Sequence, residues 1–138
     1  MADSESLEDL KYAKIWQGLG WAMIAAVVWL SLTPNPPQPP SFLGWDKAQH
    51  FLAYGWLTLW FGMSFARHWR WPLFLVSLGI GLEFLQGWGG IRSFDPFDMV
   101  ANAIGVGVGL ALLKTPLGRL LAAVDARLAK RLGSGASC

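Results

Sequence analysis

Four apolar runs, roughly 15–32, 50–66, 71–88 and 97–113, occupy about half of this 138-residue chain. Each approaches the roughly 17–25 residues that a membrane-spanning helix needs. One such run can be the buried helix of a soluble domain. Four of them, with no strand-like alternation between, predict a small all-α membrane protein, a bundle of four transmembrane helices. The composition agrees, with 54% hydrophobic and only 14% charged residues, against about 25% charged in an ordinary soluble domain. Nine Trp also fit a chain that meets the membrane–water interface twice per hairpin.

The chain reads as one domain, 1–138. An acidic head, "DSESLEDLKYAK", precedes the first run and Pro-rich sequence follows it, so that run is expected to be a retained span rather than a cleaved signal. A net charge of +2 gives no reason to expect nucleic acid as a partner. The single Cys, Cys138, excludes a disulfide framework and thiolate metal sites built within the chain.

Orientation follows from the basic residues. Lys11, Lys14, Arg67, Arg70, Lys114, Arg119, Arg127, Lys130 and Arg131 fall on one side of the predicted bundle, and only Lys47 and Arg92 on the other. The positive-inside rule places both termini in the cytoplasm. The loops 33–47 and 89–96 then face outward, with Trp45 and Trp88 at the outer interface and Trp16, Trp69 and Trp71 at the inner one. After the last span, Thr115 and Pro116 open a helix predicted over 116–132. Leu117, Leu120, Leu121, Val124 and Leu128 share its apolar side, and Arg119, Arg127, Lys130 and Arg131 lie elsewhere on the wheel. That pattern predicts an amphipathic helix on the inner membrane surface, followed by a disordered tail, "GSGASC".

Polar residues gather at the outward ends of three spans. Asp46, Lys47, His50 and Tyr54 lie at the start of the second, Glu83 and Gln86 near the end of the third, and Arg92, Asp95, Asp98 and Asn102 around the start of the fourth. Spacings of three and four put Asp46, His50 and Tyr54 on one helix face, and Asp98, Asn102, Gly105 and Gly109 on another. The Gly105–Gly109 pair also suits close helix packing. Ordinary readings compete at several positions. Asp95 before Pro96 is foremost a helix cap. Lys47 and Arg92 suit lipid phosphates, His50 suits an interface, and His68 suits a solvated loop. Glu83 is the most demanding, because an ionised carboxylate within an apolar helix costs about 2.5 kcal/mol or more near the membrane centre without a partner. Arg92, Lys47 or a protonated His50 are its candidate partners.

Three stretches, "DKAQHF" at 46–51, "EFLQ" at 83–86 and "RSFDPFDMVANAIG" at 92–105, resemble the motif set of the VanZ-like family. These are small bacterial inner-membrane proteins named for a teicoplanin-resistance determinant. The resemblance covers about residues 41–113 and implies a cell-envelope role at the inner membrane, near peptidoglycan precursors, lipid carriers or glycopeptides. Its motif positions fall on Asp46, Lys47, His50, Phe51, Glu83, Gln86, Arg92, Asp95, Asp98, Asn102 and Gly105.

Two functions suit such a cluster. In one, it binds or processes a lipid-linked or amphiphilic envelope molecule. Arg92 and Lys47 would then hold a phosphate, Gln86, Asn102, Asp95 and Tyr54 would add contacts, and Glu83, His50, Asp46 and Asp98 would supply acid–base chemistry. In the other, the protein is a non-catalytic accessory or structural element, and the cluster is an interhelical network. No cofactor is required by either. A divalent cation held by His50, Glu83, Asp95 and Asp98 is a further option without diagnostic spacing.

Overall fold

The computed structural model describes residues 10–34, 46–65, 69–91 and 94–135. Among them every regular element is helical. The apolar runs become α1 (Ala13–Leu32), α2 (Asp46–Ser64), α3 (Arg70–Trp88) and α4 (Pro96–Leu113). A short 3₁₀ turn, Pro116–Arg119, leads into α5 (Leu120–Gly135). The helices exceed the expected runs by a residue or more at several ends. The tail differs most: its first turn is 3₁₀, and α5 continues through Gly133 to Gly135, where disorder was expected.

Local chemistry sets several boundaries. Asp95 caps α4 by accepting from the Phe97 N–H at 2.9 Å, with Pro96 at the first helical position. At the far end of α3, Gly90 adopts a left-handed φ of 66°. The Gly90 N–H donates to the Gly87 carbonyl, and the Ile91 N–H to that of Gln86. This is a Schellman closure. A side chain at φ +66° would be strained, so Gly90 allows the chain to turn sharply toward Asp95.

The most intimate contact in the bundle is between α2 and α4, where three glycines remove the barrier of side chains. A Cβ on Gly105 would collide with the Phe51 carbonyl, and one on Gly109 would lie 2.7 Å from the Gly55 carbonyl. The backbones therefore meet directly, as small-xxx-small packing permits. Helix α3 packs on α4, and α1 packs on α2. The apolar core is centred on Leu57, Phe61 and Leu75, each at most 1% exposed. Next to it Trp21, Phe61, Phe65, Trp71 and Phe74 form an aromatic cluster, with Phe61 and Phe65 stacked at 5.1 Å. Trp71, expected at the inner interface, is half-buried and belongs to this cluster.

Two helices, α1 and α4, are long and apolar enough to cross a membrane. The other two have the length, but their site residues make them less apolar. Much of the outer surface is apolar all the same, including Ile15 and Trp29 of α1, Leu73 and Phe84 of α3, and Val100 and Ile104 of α4.

Candidate functional site

The end of the bundle formed by the start of α2, the end of α3 and the start of α4 carries the polar cluster. Lys47 connects two helices: its Nζ donates to Asp95 Oδ2 at 3.0 Å and lies 3.5 Å from Asp98 Oδ1. One turn along α2, His50 Nδ1 lies 3.1 Å from Asn102 Oδ1, and Nε2 lies 3.7 Å from Asp98 Oδ2. With the carboxamide oxygen accepting, Nδ1 is the donor and Nε2 is the ring nitrogen turned toward Asp98. A turn deeper on α2, Tyr54 is buried and within electrostatic range of Glu83.

From α3, Glu83 enters the same space. It is 2% exposed and accepts the Asp95 backbone N–H through Oε1 at 2.7 Å. Its carboxyl also senses His50, Asp95 and Asp98. The partner of Glu83 among the described residues is thus a neutral backbone donor at the α4 cap, where a cationic side chain was expected. The bond fixes the two carboxylates in relation to each other, since Asp95 receives the Phe97 N–H while its own N–H goes to Glu83. Gln86, also buried, is drawn away: its Nε2 donates to the Ser31 carbonyl at 2.7 Å and ties α3 to the end of α1.

Asn102 packs against α3 at Gly79, where an added Cβ would lie 2.7 Å from Nδ2. Gly79 therefore makes room for the carboxamide that holds His50. The stripe Asp98, Asn102, Gly105 and Gly109 is buried throughout. Its polar upper half meets His50 and Lys47, and its glycine lower half meets the α2 backbone.

Exposure grades from mouth to floor. The side chains of Lys47 and Asp95 are 32% and 36% exposed, and that of His50 is 16%. Asp98, Asn102, Glu83 and Tyr54 are buried below them. At the mouth, the hydrogen bond and charge of Asp95 hold the Lys47 ammonium above its ordinary range. The reciprocal bond from Lys47, aided by the Phe97 N–H, holds the Asp95 carboxyl below the usual carboxylate range. Both are therefore charged near neutrality.

Two expected members lie beyond this description. Arg92 falls outside the described residues, as do Trp45, His68 and the Pro-rich stretch. Asp46 is helical at the start of α2, but its side chain falls outside them too. Among the described residues, no group of three or more His, Cys, Asp or Glu has the geometry to hold a metal ion.

Sequence reasoning overlooked the opposite end of the bundle. Asp125 of α5, set aside as a tail residue, is 1% exposed. It accepts from the Lys11 and Tyr12 backbone N–H groups at 2.7 and 3.0 Å and from the Trp16 indole N–H at 2.8 Å. Burial pushes its carboxyl up, but these donors outweigh that and hold it below the ordinary range. Tyr12, the residue before α1, provides no cap of its own. A carboxylate more than a hundred residues away serves the free N–H groups there. Trp16 is accordingly engaged inside the fold, and its carbonyl accepts from the Trp60 indole at 2.9 Å. The one available sequence signal was an acidic residue alone in an otherwise basic tail.

Over an alignment 90 positions long, which covers 61% of the chain, the sequence is 34% identical to an uncharacterized protein of Schizosaccharomyces pombe. The chain spans about half the length of that fungal protein, 53% of which is covered. No family model matches the chain. No solved structure matches it.

Proposed function

We propose that this chain is a VanZ-like membrane protein with four spans and both termini on the cytoplasmic side of a bacterial inner membrane. Its outward end binds the polar head of a lipid-linked or amphiphilic envelope molecule. One observation carries this reading. Three helices bring Lys47, His50, Glu83, Asp95, Asp98 and Asn102 to a single end, open at Lys47 and Asp95 and closed at Glu83. A purely internal fastening has no need of an exposed, charged mouth. The apolar exterior of α1, α3 and α4 supports a lipid environment, and among the described residues eight of the nine Lys and Arg lie away from this end.

Each group then has a chemical role. His50 Nε2, oriented by Asn102 and beside Asp98, is the candidate general base, with Glu83 behind it. Lys47 and Arg92 are the cations available to a phosphate. Lys47 already bridges Asp95 and Asp98, so an anionic head must draw it partly away from them. Similarity to a fungal protein favours a ligand class common to many membranes, such as a lipid-linked phosphate, over a glycopeptide.

A second reading rests on a specific contact. The Glu83 bond to the α4 cap and the Lys47 bridge are also what an interhelical structural network would contain. Incubation of the purified protein with lipid-linked cell-wall precursors, followed by mass spectrometry for product and retained ligand, separates the two. The binding site predicts a ligand or product with the native chain and its loss in Glu83→Gln and His50→Ala, both still folded. Variants that unfold without any ligand effect would leave the network. Outside-only thiol labelling tests the topology: a cysteine at position 38 should react and one at position 68 should not.

A further inference from the structure

The tail helix α5 presents two different surfaces, and of the five residues that the sequence pattern groups together only Leu121 is buried. Periodicity puts Leu121 with Leu117, Leu120, Val124 and Leu128 on one apolar side. In the fold, the side docked on the bundle is centred on Gly118, Leu121 and Asp125, all buried. Leu117, Leu120 and Val124 remain exposed beside that docked side, and Leu128 and Leu132, seven residues on from Leu121 and Asp125, continue it past the contact and are exposed as well. Docking is thus achieved by a small residue, one leucine and a carboxylate. Asp125 is the fastening that fixes the rotation of the helix, because its two oxygens must meet three donors at the start of α1.

Burying Asp125 also changes the charge that α5 displays. Residues 114–135 contain five basic residues, Lys114, Arg119, Arg127, Lys130 and Arg131, and Asp125 as the sole acid. With that acid internal, every formal charge on the outer surface of the segment is positive. A stripe of large apolar residues edged by Arg127 and Arg131 matches a surface that is apolar within and anionic at its rim.

We infer that the exposed stripe of α5 docks into an anionic phospholipid leaflet, and that Asp125 is the positioning residue that aims it there. The inference rests on the membrane reading above, because the leaflet must be the one in which the bundle sits. The helix follows α4 after a single 3₁₀ turn, so it meets the bilayer where that helix ends. Leu117 to Leu132 would lie among the upper acyl chains and the basic residues among the headgroup phosphates. The membrane then holds α5 from one side and Asp125 holds it from the other.

The test uses the full chain in vesicles. In a Cys138→Ser background, single cysteines at Val124, Ala126 or Ile104 carry an environment-sensitive fluorophore. The vesicles contain phosphatidylcholine and brominated lipid, with or without phosphatidylglycerol. Val124 and Ala126 lie on opposite sides of the exposed surface, so quenching at Val124 should exceed that at Ala126 by about twofold or more, and phosphatidylglycerol should increase it. The paired reversal Arg127→Glu with Lys130→Glu, at exposed positions, should remove the phosphatidylglycerol effect. Asp125→Ala should reduce the contrast between the two labels. Equal quenching at Val124 and Ala126, a Val124 signal indifferent to phosphatidylglycerol, or a contrast unchanged by Asp125→Ala would overturn the assignment. Ile104, exposed on α4, separates the causes. If it is quenched while Val124 is not, the tail surface alone fails. If neither is quenched, the membrane reading fails and this inference with it.

Discussion

The two ends of the bundle each bury a carboxylate against the beginning of a helix, yet they use it differently. Asp125 accepts from two backbone N–H groups and an indole, all neutral, with the Lys11 charge adding to them. Glu83 also meets a backbone N–H, but the donor belongs to Asp95, which pairs with Lys47, which reaches Asp98, which faces His50. The first is a closed fastening. The second is a chain of ionisable groups that reaches the surface. A buried charge satisfied by fixed dipoles is enough to hold two elements together. A linked set that runs from a buried floor to an exposed mouth has capacity beyond that need, and this surplus distinguishes a candidate site from a joint.

Substitutions can break the comparison. The largest effect is expected from Asp125→Ala, which strands three part-buried donors. At about 1–3 kcal/mol for each unsatisfied donor, and with relaxation recovering part, a loss of about 2–4 kcal/mol is expected in detergent denaturation. Asp125→Asn should recover some of it. Next comes Gly105→Leu, whose side chain would be driven into the Phe51 carbonyl. Overpacking of this kind costs about 1–3 kcal/mol or more, and the thermal midpoint of the purified protein would report it. Glu83→Gln should cost less, about 1 kcal/mol, because the amide oxygen can still accept the Asp95 N–H. Its effect should instead appear in ligand retention. If Glu83→Gln lost as much stability as Asp125→Ala and no ligand, the two ends would be alike, and the polar end would be a joint as well.

The pH dependence sharpens the same contrast. Asp125 and Asp95 are both held below the ordinary carboxylate value of 3.8. Each contributes stability that is complete above that value and is lost as pH falls through the lower folded value. Lys47 is held above 10.5, so its contribution is complete below that pH and is lost as pH rises through the higher folded value. Thermal midpoints should therefore fall on the acid side of the first limit and on the alkaline side of the second. Asp125→Asn should flatten the acid limb, and Lys47→Ala should flatten the alkaline limb with a smaller change at neutrality, the smallest effect of the series.

Much of the polar end was legible in the chain. The spacing of Asp98, Asn102, Gly105 and Gly109 placed them on one buried stripe because a helix repeats every 3.6 residues. Asp95-Pro96 announced a cap because both residues satisfy the local needs of a helix start. What could not be read was the choice of partner. Lys47 was equally suited to a lipid phosphate, Gln86 to the site, and Glu83 to any nearby cation. In the fold they reach Asp95 and Asp98, the Ser31 carbonyl and the Asp95 N–H respectively. Those distances depend on how helices far apart in sequence cross. The burial of Leu121 and Asp125 in the tail could not be read for a related reason: apolar periodicity shows which residues avoid water, but not which neighbour receives them.

The sequence by itself therefore determined the helices, the caps at Asp95 and Thr115, the Gly105–Gly109 pair that lets backbones touch, and the placing of polar residues at the ends of three helices. These follow from local chemistry and helical repeat. Only the tertiary structure decided that Asp125 fastens the tail to the start of α1, that Glu83 rests on the α4 cap, and that the leucines of α5 other than Leu121 stay exposed. Each of those depends on a hydrogen-bonding group finding its partner across the bundle. The energy of such a contact is set by burial and distance, and neither is written in the order of the residues.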